Sequence, residues 1–209
     1  MKRKAFAALF LAVLTLPAAA QSVPRVKGRV TAFDGLTFQL QPEGGGTPLS
    51  IRLQARTQFM TLEPRSLAAI KPGSYAGATV ALRDGSLVAS DVQLYPDQLR
   101  GSGEGRLPQA DGRIVINGAV TAVGNGRITL FYRGGRMANG VCLDRPDPRT
   151  PSPACTADPV IQVPRDASVR ALVPGGRPLL EPGVLATVSI ETDEKGVRST
   201  PGLILEKGA

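Results

Sequence analysis

VKGRVTAFDGLTFQLQ, residues 26–41, returns at an offset of 90 as INGAVTAVGNGRITLFY, residues 116–132. Both stretches share the skeleton apolar-x-Gly-x-Val-Thr-Ala-apolar, followed by a turn and then a run of alternating apolar and polar residues. A period of two places every second side chain on one face, which is the pattern of a half-buried strand and not of a helix. Asp34-Gly35 in the first stretch and Gly124-Asn125-Gly126 in the second supply the residues a tight hairpin turn needs.

Outward from these stretches the repeat continues. IRLQARTQFMTLEPRSLAAIKPG, beginning at Ile51, lines up with IQVPRDASVRALVPGGRPLLEPG, beginning at Ile161, at an offset of 110. Phe59 then matches Val169, Leu62 matches Leu172, Pro64 matches Pro174, and Pro72-Gly73 matches Pro182-Gly183. The last strands, ATVALRDGSLVASDVQL and ATVSIETDEKGVRSTPGLIL, correspond again. Three segments matched in the same order indicate duplication. Asp84-Gly85 marks a second hairpin in the first copy, and residues 62–70 and 172–180 leave room for a short helical turn before each Pro-Gly. The expected fold is all-β: two tandem small OB-like β-barrels with short helical turns, preceded by a signal peptide. The first barrel repeat is placed at 23–99, a glycine-rich junction at 100–113, and the second barrel repeat at 114–207.

The two offsets differ by 20 residues, so the second copy carries an insertion, RGGRMANGVCLDRPDPRTPSPACTADP. Pro146, Pro148, Pro151, Pro153 and Pro159 argue against a strand through it. Cys142 and Cys155, the two cysteines of the chain, fall near its ends and read as a disulfide stapling a loop at 134–159. Closing so short a loop stabilises a fold by about 3 kcal/mol on chain-entropy grounds. Arg145, Asp147 and Arg149 sit at the tip of this loop, where solvation accounts for them.

The N-terminus, MKRKAFAALFLAVLTLPAAAQ, has a basic start, an apolar run too short to span a bilayer, and small residues before Gln21. That is the pattern of a signal peptide cleaved after Ala20, with a periplasmic destination and no membrane-spanning segment in the mature chain. Cleavage takes Lys2, Arg3 and Lys4 with it, lowering the formal charge of +8 by three. The remaining basic residues are scattered, aromatics make up 4 % of the chain and Trp is absent, so no nucleic-acid partner is expected. The chain has no histidine. This removes the commonest general base and the commonest transition-metal ligand, and excludes Ser-His-Asp and Cys-His catalysis. Met60 and Met137 are isolated, and Met60 reads as core filler beside Phe59, so no metal and no cofactor are expected.

RGSGEGR, residues 100–106, poses its own question. A phosphate-cradling loop runs into a helix whose N-terminal N–H groups face the anion. Here LPQADGRIVINGAV follows, a turn and then a strand, so the stretch reads as a junction between copies. Arg100, Glu104 and Arg106 are its candidate ligand-binding residues, the arginines suiting a carboxylate or phosphate.

Copy one, through VKGRVTAFDGLTFQL, SLAAIKPGSYAGATV and DGSLVASDVQLYP, resembles exported β-rich proteins of the domain-of-unknown-function 5666 family; copy two is similar more loosely. YPDQLRGSGEGRLP is similar to the junction of two-copy members, where a histidine tends to follow Gly-Glu-Gly and this chain has Arg106. The resemblance implies the fold and an envelope location, and no activity, since none is established for the family. Small periplasmic OB-type copper-binding proteins are a second likeness, but their His and Met cluster has no counterpart here. The expected function is a non-catalytic periplasmic binding or scaffold protein whose partner is an envelope protein, a peptide or an anionic polymer. An anion or polyanion binder, for a glycan or a lipid headgroup, is the alternative. A carboxylate-based hydrolase is a third class, weakened because the acids sit mostly at turns, as at Asp34, Asp84, Asp97, Asp111 and Asp193-Glu194.

Overall fold

A computed structural model describes residues 24–150 and 152–206 of the chain. The expected signal peptide, residues 1–20, lies outside the described residues. Copy one forms β1 (Arg25–Phe33), β2 (Thr37–Pro42), β3 (Leu49–Pro64), β4 (Tyr75–Arg83) and β5 (Ser86–Tyr95). The junction contributes β6 (Gly105–Pro108). Copy two forms β7 (Ile114–Gly124) and β8 (Arg127–Gly134), and its insertion adds β9 (Arg136–Ala138), β10 (Val141–Leu143) and β11 (Cys155–Ala157). The chain closes with β12 (Val160–Gln162), β13 (Ser168–Pro174), β14 (Leu185–Thr192) and β15 (Arg198–Glu206). The helical turns fall where the sequence left room for them, as single 3-10 turns at Leu67–Ala69 and Arg177–Leu179. Asp84-Gly85 and Asn125-Gly126 close their hairpins with both residues at positive φ, the type I′ geometry that matches strand twist.

The molecule is all-β, and its strands close into barrels, but each barrel draws on both copies. Pairing runs β1–β2–β3–β15–β14 and back to β1, giving barrel A. It runs β4–β5–β12–β8–β7 and back to β4, giving barrel B. The expectation of one barrel at 23–99 and another at 114–207 is therefore corrected: the closing hairpins, β4–β5 and β14–β15, are exchanged between the copies. The long strand β3 shows why. Its 16 residues extend roughly 50 Å, too far to serve one small barrel alone, and its second half stays paired with β15 while its other edge reaches the neighbour. There it pairs with β13, the same element of copy two, which Pro164 separates from β12.

Register makes the exchange symmetric. Leu62 lies opposite Leu172 in the antiparallel β3–β13 pair, and these residues are equivalents at offset 110, so a local two-fold axis passes between them. Gly28 pairs with Ala186, as Gly118 pairs with Ala76. These pairs keep the offset at 110 through β4 and β14, so the shared Ala-Thr-Val at 78–80 and 186–188 is displaced by two residues from the structural match.

The repeated motifs now have a physical role. The strands β1 and β7 bulge after Val30 and Val120, and each bulge receives the Pro-Gly turn of the other copy. Gly183 donates its N–H to Val30 O at 2.7 Å, and Gly73 donates to Val120 O at 2.8 Å. The glycine two residues before each valine is required because a Cβ on Gly28 or Gly118 would overlap the carbonyl of Gln41 or Phe131. Barrel A buries Val30, Phe38, Leu40, Ile51, Leu203 and Leu205, with Leu180 from copy two. Barrel B buries Val120, Ile128, Leu130, Ile161 and Val92, with Ile70 from copy one.

Candidate functional site

The disulfide Cys142–Cys155 is formed, with a Cα–Cα separation of 5.7 Å. The insertion is more structured than its prolines suggested. Before the proline run, β9 and β10 make a small hairpin, and after it β11 pairs with β8. Tyr132, 1 % exposed, donates its hydroxyl to Cys142 O at 2.7 Å, tying the staple into the core of barrel B. Burial raises the Tyr132 pKa, against a smaller pull from the Arg106 guanidinium.

RGSGEGR is a structured connector whose last two residues, Gly105 and Arg106, open β6 and pair along β7. Glu104 is 8 % exposed and turned inward. It accepts the Arg133 backbone N–H at 3.0 Å, and Arg133 Nη2 at 2.5 Å, with Nε between both oxygens. A carboxylate so deep needs a full set of donors, and Arg133 supplies it. Asn117, 6 % exposed, donates Nδ2–H to Gly103 O at 2.9 Å, while its Oδ1 has no partner and lies over Gly77. Arg100 donates to Gly73 O at 2.7 Å and to Asp97 at 3.2 Å. Arg106 runs beside Tyr132, with Nε buried and unpartnered, while its backbone carbonyl accepts the Asp144 N–H at 2.9 Å. The three candidate residues of the junction are thus spread over three settings, exposed at Arg100 and buried at Glu104, and are not brought to one shared anion site.

A different feature gathers polar groups from the whole molecule. Between the barrels lies a cleft of about 340 Å³. Barrel A contributes Arg25, Met60, Ser189 and Gly202; barrel B and the junction contribute Gln93, Tyr95, Leu99 and Ser102; the insertion contributes Arg145. A second hollow of about 270 Å³ adjoins it and shares Arg25, Gln93, Tyr95, Asn117 and Arg145. Met60 therefore lines the cleft instead of filling a core; its neighbour Phe59 packs on barrel A. Tyr95 stacks edge-on against Tyr75 at 5.7 Å between ring centroids. Burial raises the Tyr95 pKa, with the Arg25 charge, on the same cleft, pulling the other way.

The acids near the cleft already have partners. Asp91 and Glu206 both accept from Arg170, at 2.7 Å and 3.2 Å, and Lys27 Nζ lies 3.4 Å from Glu206. The turn acids are held locally: Asp34 accepts N–H bonds from Leu36 and Thr37, and Asp193 accepts from Lys195 and Val197. Asp111 and Asp147 pair with Arg113 and Arg149 two residues on. Among the described residues no group of three or more His, Cys, Asp or Glu lies where it could hold a metal ion. Among them, too, no helix is long and apolar enough to cross a membrane.

Sequence reasoning missed Arg25, which opens β1 one residue before the repeated skeleton, and left Arg145 among solvated loop residues. The one signal available for Arg145 was its place inside a stapled insertion. Compared with known proteins, the chain matches no family model, no curated protein and no solved structure. The family resemblance therefore rests on the quoted motifs.

Proposed function

We propose that this chain is an exported, non-catalytic binding or scaffold protein of the cell envelope, with its ligand in the cleft between the two barrels. The observation that carries this reading is the cleft itself. It is small, has apolar and polar walls, and is lined by residues from both barrels and the insertion, the usual make-up of a small-ligand site. The disulfide supports an oxidising compartment, in keeping with the signal-peptide pattern and with the exported family the motifs resemble. The turn acids satisfy their own hairpins, which speaks against a carboxylate hydrolase. The ligand classes in view are a peptide end, a glycan or another envelope anion.

The test is a thermal-shift and native-mass experiment on the mature chain, with a small-molecule extract of the bacterial envelope. A ligand at 100 times its Kd stabilises the folded chain by about 2.7 kcal/mol. We expect an adduct and a raised Tm in the wild type, both lost in Ser189→Trp, which fills the cleft from β14. An extract that shifts both proteins equally, or neither, overturns the reading.

A further inference from the structure

Arg25 and Arg145 are the excess charge of the cleft. Around them Asp91 and Glu206 are taken by Arg170 and Lys27. On the insertion side Glu104 is taken by Arg133, Asp144 by Arg136 and Asp147 by Arg149. Among the described residues neither Arg25 nor Arg145 has a carboxylate within ion-pair distance. Both are exposed and both line the cleft and its neighbouring hollow, so their like charges repel one another and an anion between them relieves that repulsion.

The position of Arg145 is imposed by the backbone. The Asp144–Arg145 segment lies flat on barrel B: a Cβ at Gly105 would overlap the Asp144 carbonyl, and one at Gly135 would overlap the Arg145 carbonyl. Asp144 is bonded to the Arg106 backbone, and its segment begins directly after β10, which the disulfide holds against β11. So the staple, the two glycines and β6 together set where Arg145 emerges. That point borders the cleft, its neighbouring hollow and a groove under the proline run. Pseudo-symmetry offers no second copy of this arrangement, because the insertion exists in copy two alone.

Resting on the reading that the cleft is the ligand site, we propose that it binds an oxyanion carried on a short apolar body, clamped between Arg25 and Arg145, and that the stapled insertion serves to deliver Arg145. Guanidiniums suit carboxylate and phosphate oxygens through paired N–H donors. The Tyr95 hydroxyl, Gln93 and Ser102 add polar contacts at the same wall, and Met60, Leu99 and Leu172 receive the apolar part.

Hexanoate, hexyl phosphate and neutral hexanamide are the probes, titrated into the mature chain while the side-chain amide signals of Gln93 and Asn117 are followed by NMR. The anions are expected to move these signals at concentrations about tenfold lower than hexanamide does. The ratio of hexanoate to hexyl phosphate tells a carboxylate site from a phosphate site. Arg25→Ala and Arg145→Ala are each expected to weaken the anions about tenfold or more and to leave hexanamide unchanged. Cys142→Ser/Cys155→Ser is expected to match Arg145→Ala; should that pair fail to fold, the two arginine variants decide the question. Hexanamide binding as tightly as hexanoate, or Arg145→Ala binding like the wild type, overturns the proposal while leaving the cleft as a ligand site. Signals that no probe moves, or that move equally in Ser189→Trp, overturn the cleft reading itself.

Discussion

The two barrels share one plan and differ in what has been added to it. Barrel A is five strands around an apolar core, with Phe38 where barrel B has Ile128. Barrel B carries the extra strand β6, the buried Glu104 with its exposed partner Arg133, the disulfide, and the insertion that lines the cleft. Additions confined to one of two equivalent units show which parts the fold requires and which it merely tolerates. The repeated motifs, the bulge and the Pro-Gly turn, belong to the plan. Of the residues that give the cleft its charge and its apolar rim, Arg145 and Leu99 come from the barrel B side, while Arg25, Met60, Leu203 and Ile204 come from barrel A.

Barrels that exchange hairpins are expected to unfold together. Phe38→Ala is expected to cost about 3–5 kcal/mol and Ile128→Ala, its equivalent, about 2–5 kcal/mol, as for other large core truncations. Because each barrel borrows its closing hairpin from the other copy, both variants are expected to lower one common calorimetric transition. Two separated transitions in Phe38→Ala would show that barrel B stands without barrel A. A smaller effect sharpens the difference between them. Cys142→Ser/Cys155→Ser is expected to lower stability by about 3 kcal/mol in chemical denaturation, acting through barrel B. A loss below about 1 kcal/mol would mean that β9–β11 hold the insertion unaided.

The smallest effect is read from pH. Tyr75, Tyr95 and Tyr132 have pKa values raised by burial above the ordinary 10. The stability they contribute is complete below that value and is lost as pH rises through the folded-state values. Asp34, held by the N–H groups of Thr37 and Leu36, is lowered from 3.8, and Asp111 and Asp147 are lowered by Arg113 and Arg149. Their contribution is complete above that value and is lost as pH falls through the lowered ones. With no histidine in the chain, the thermal midpoint is expected to stay level from about pH 5 to 9 and to fall on both sides. A step near pH 6.5 would contradict this, as no side chain here ordinarily titrates there.

Much of this was legible in the residues, and the limits have a physical cause. Strand period, Asp-Gly and Asn-Gly turns, Pro-Gly stops and the cysteine pair act locally, so composition and spacing reveal them. The exchange of hairpins does not act locally. Gly28 could close on Ala76 or on Ala186, and because these are equivalents the contacts have the same chemistry either way, as in any domain swap. What selects the second partner is the length and direction of β3, which alternation alone does not report. The cleft was hidden for a related reason. It arises between units, from Arg25 at the start of β1 and Arg145 inside an insertion, positions that no single motif connects.

The exchanged topology also sets a timetable. Arg25 pairs with Ser189, so the first described strand of the chain finds its neighbour about 160 residues later. At the usual pace of synthesis, about 5–20 residues per second, β1 waits roughly ten to thirty seconds before barrel A can close. Through that interval β1 and β3 present unpaired edges, whereas the last strand barrel B needs, β12, is made earlier and sets Ile161 opposite Leu87. The last strands made are the ones that secure the first.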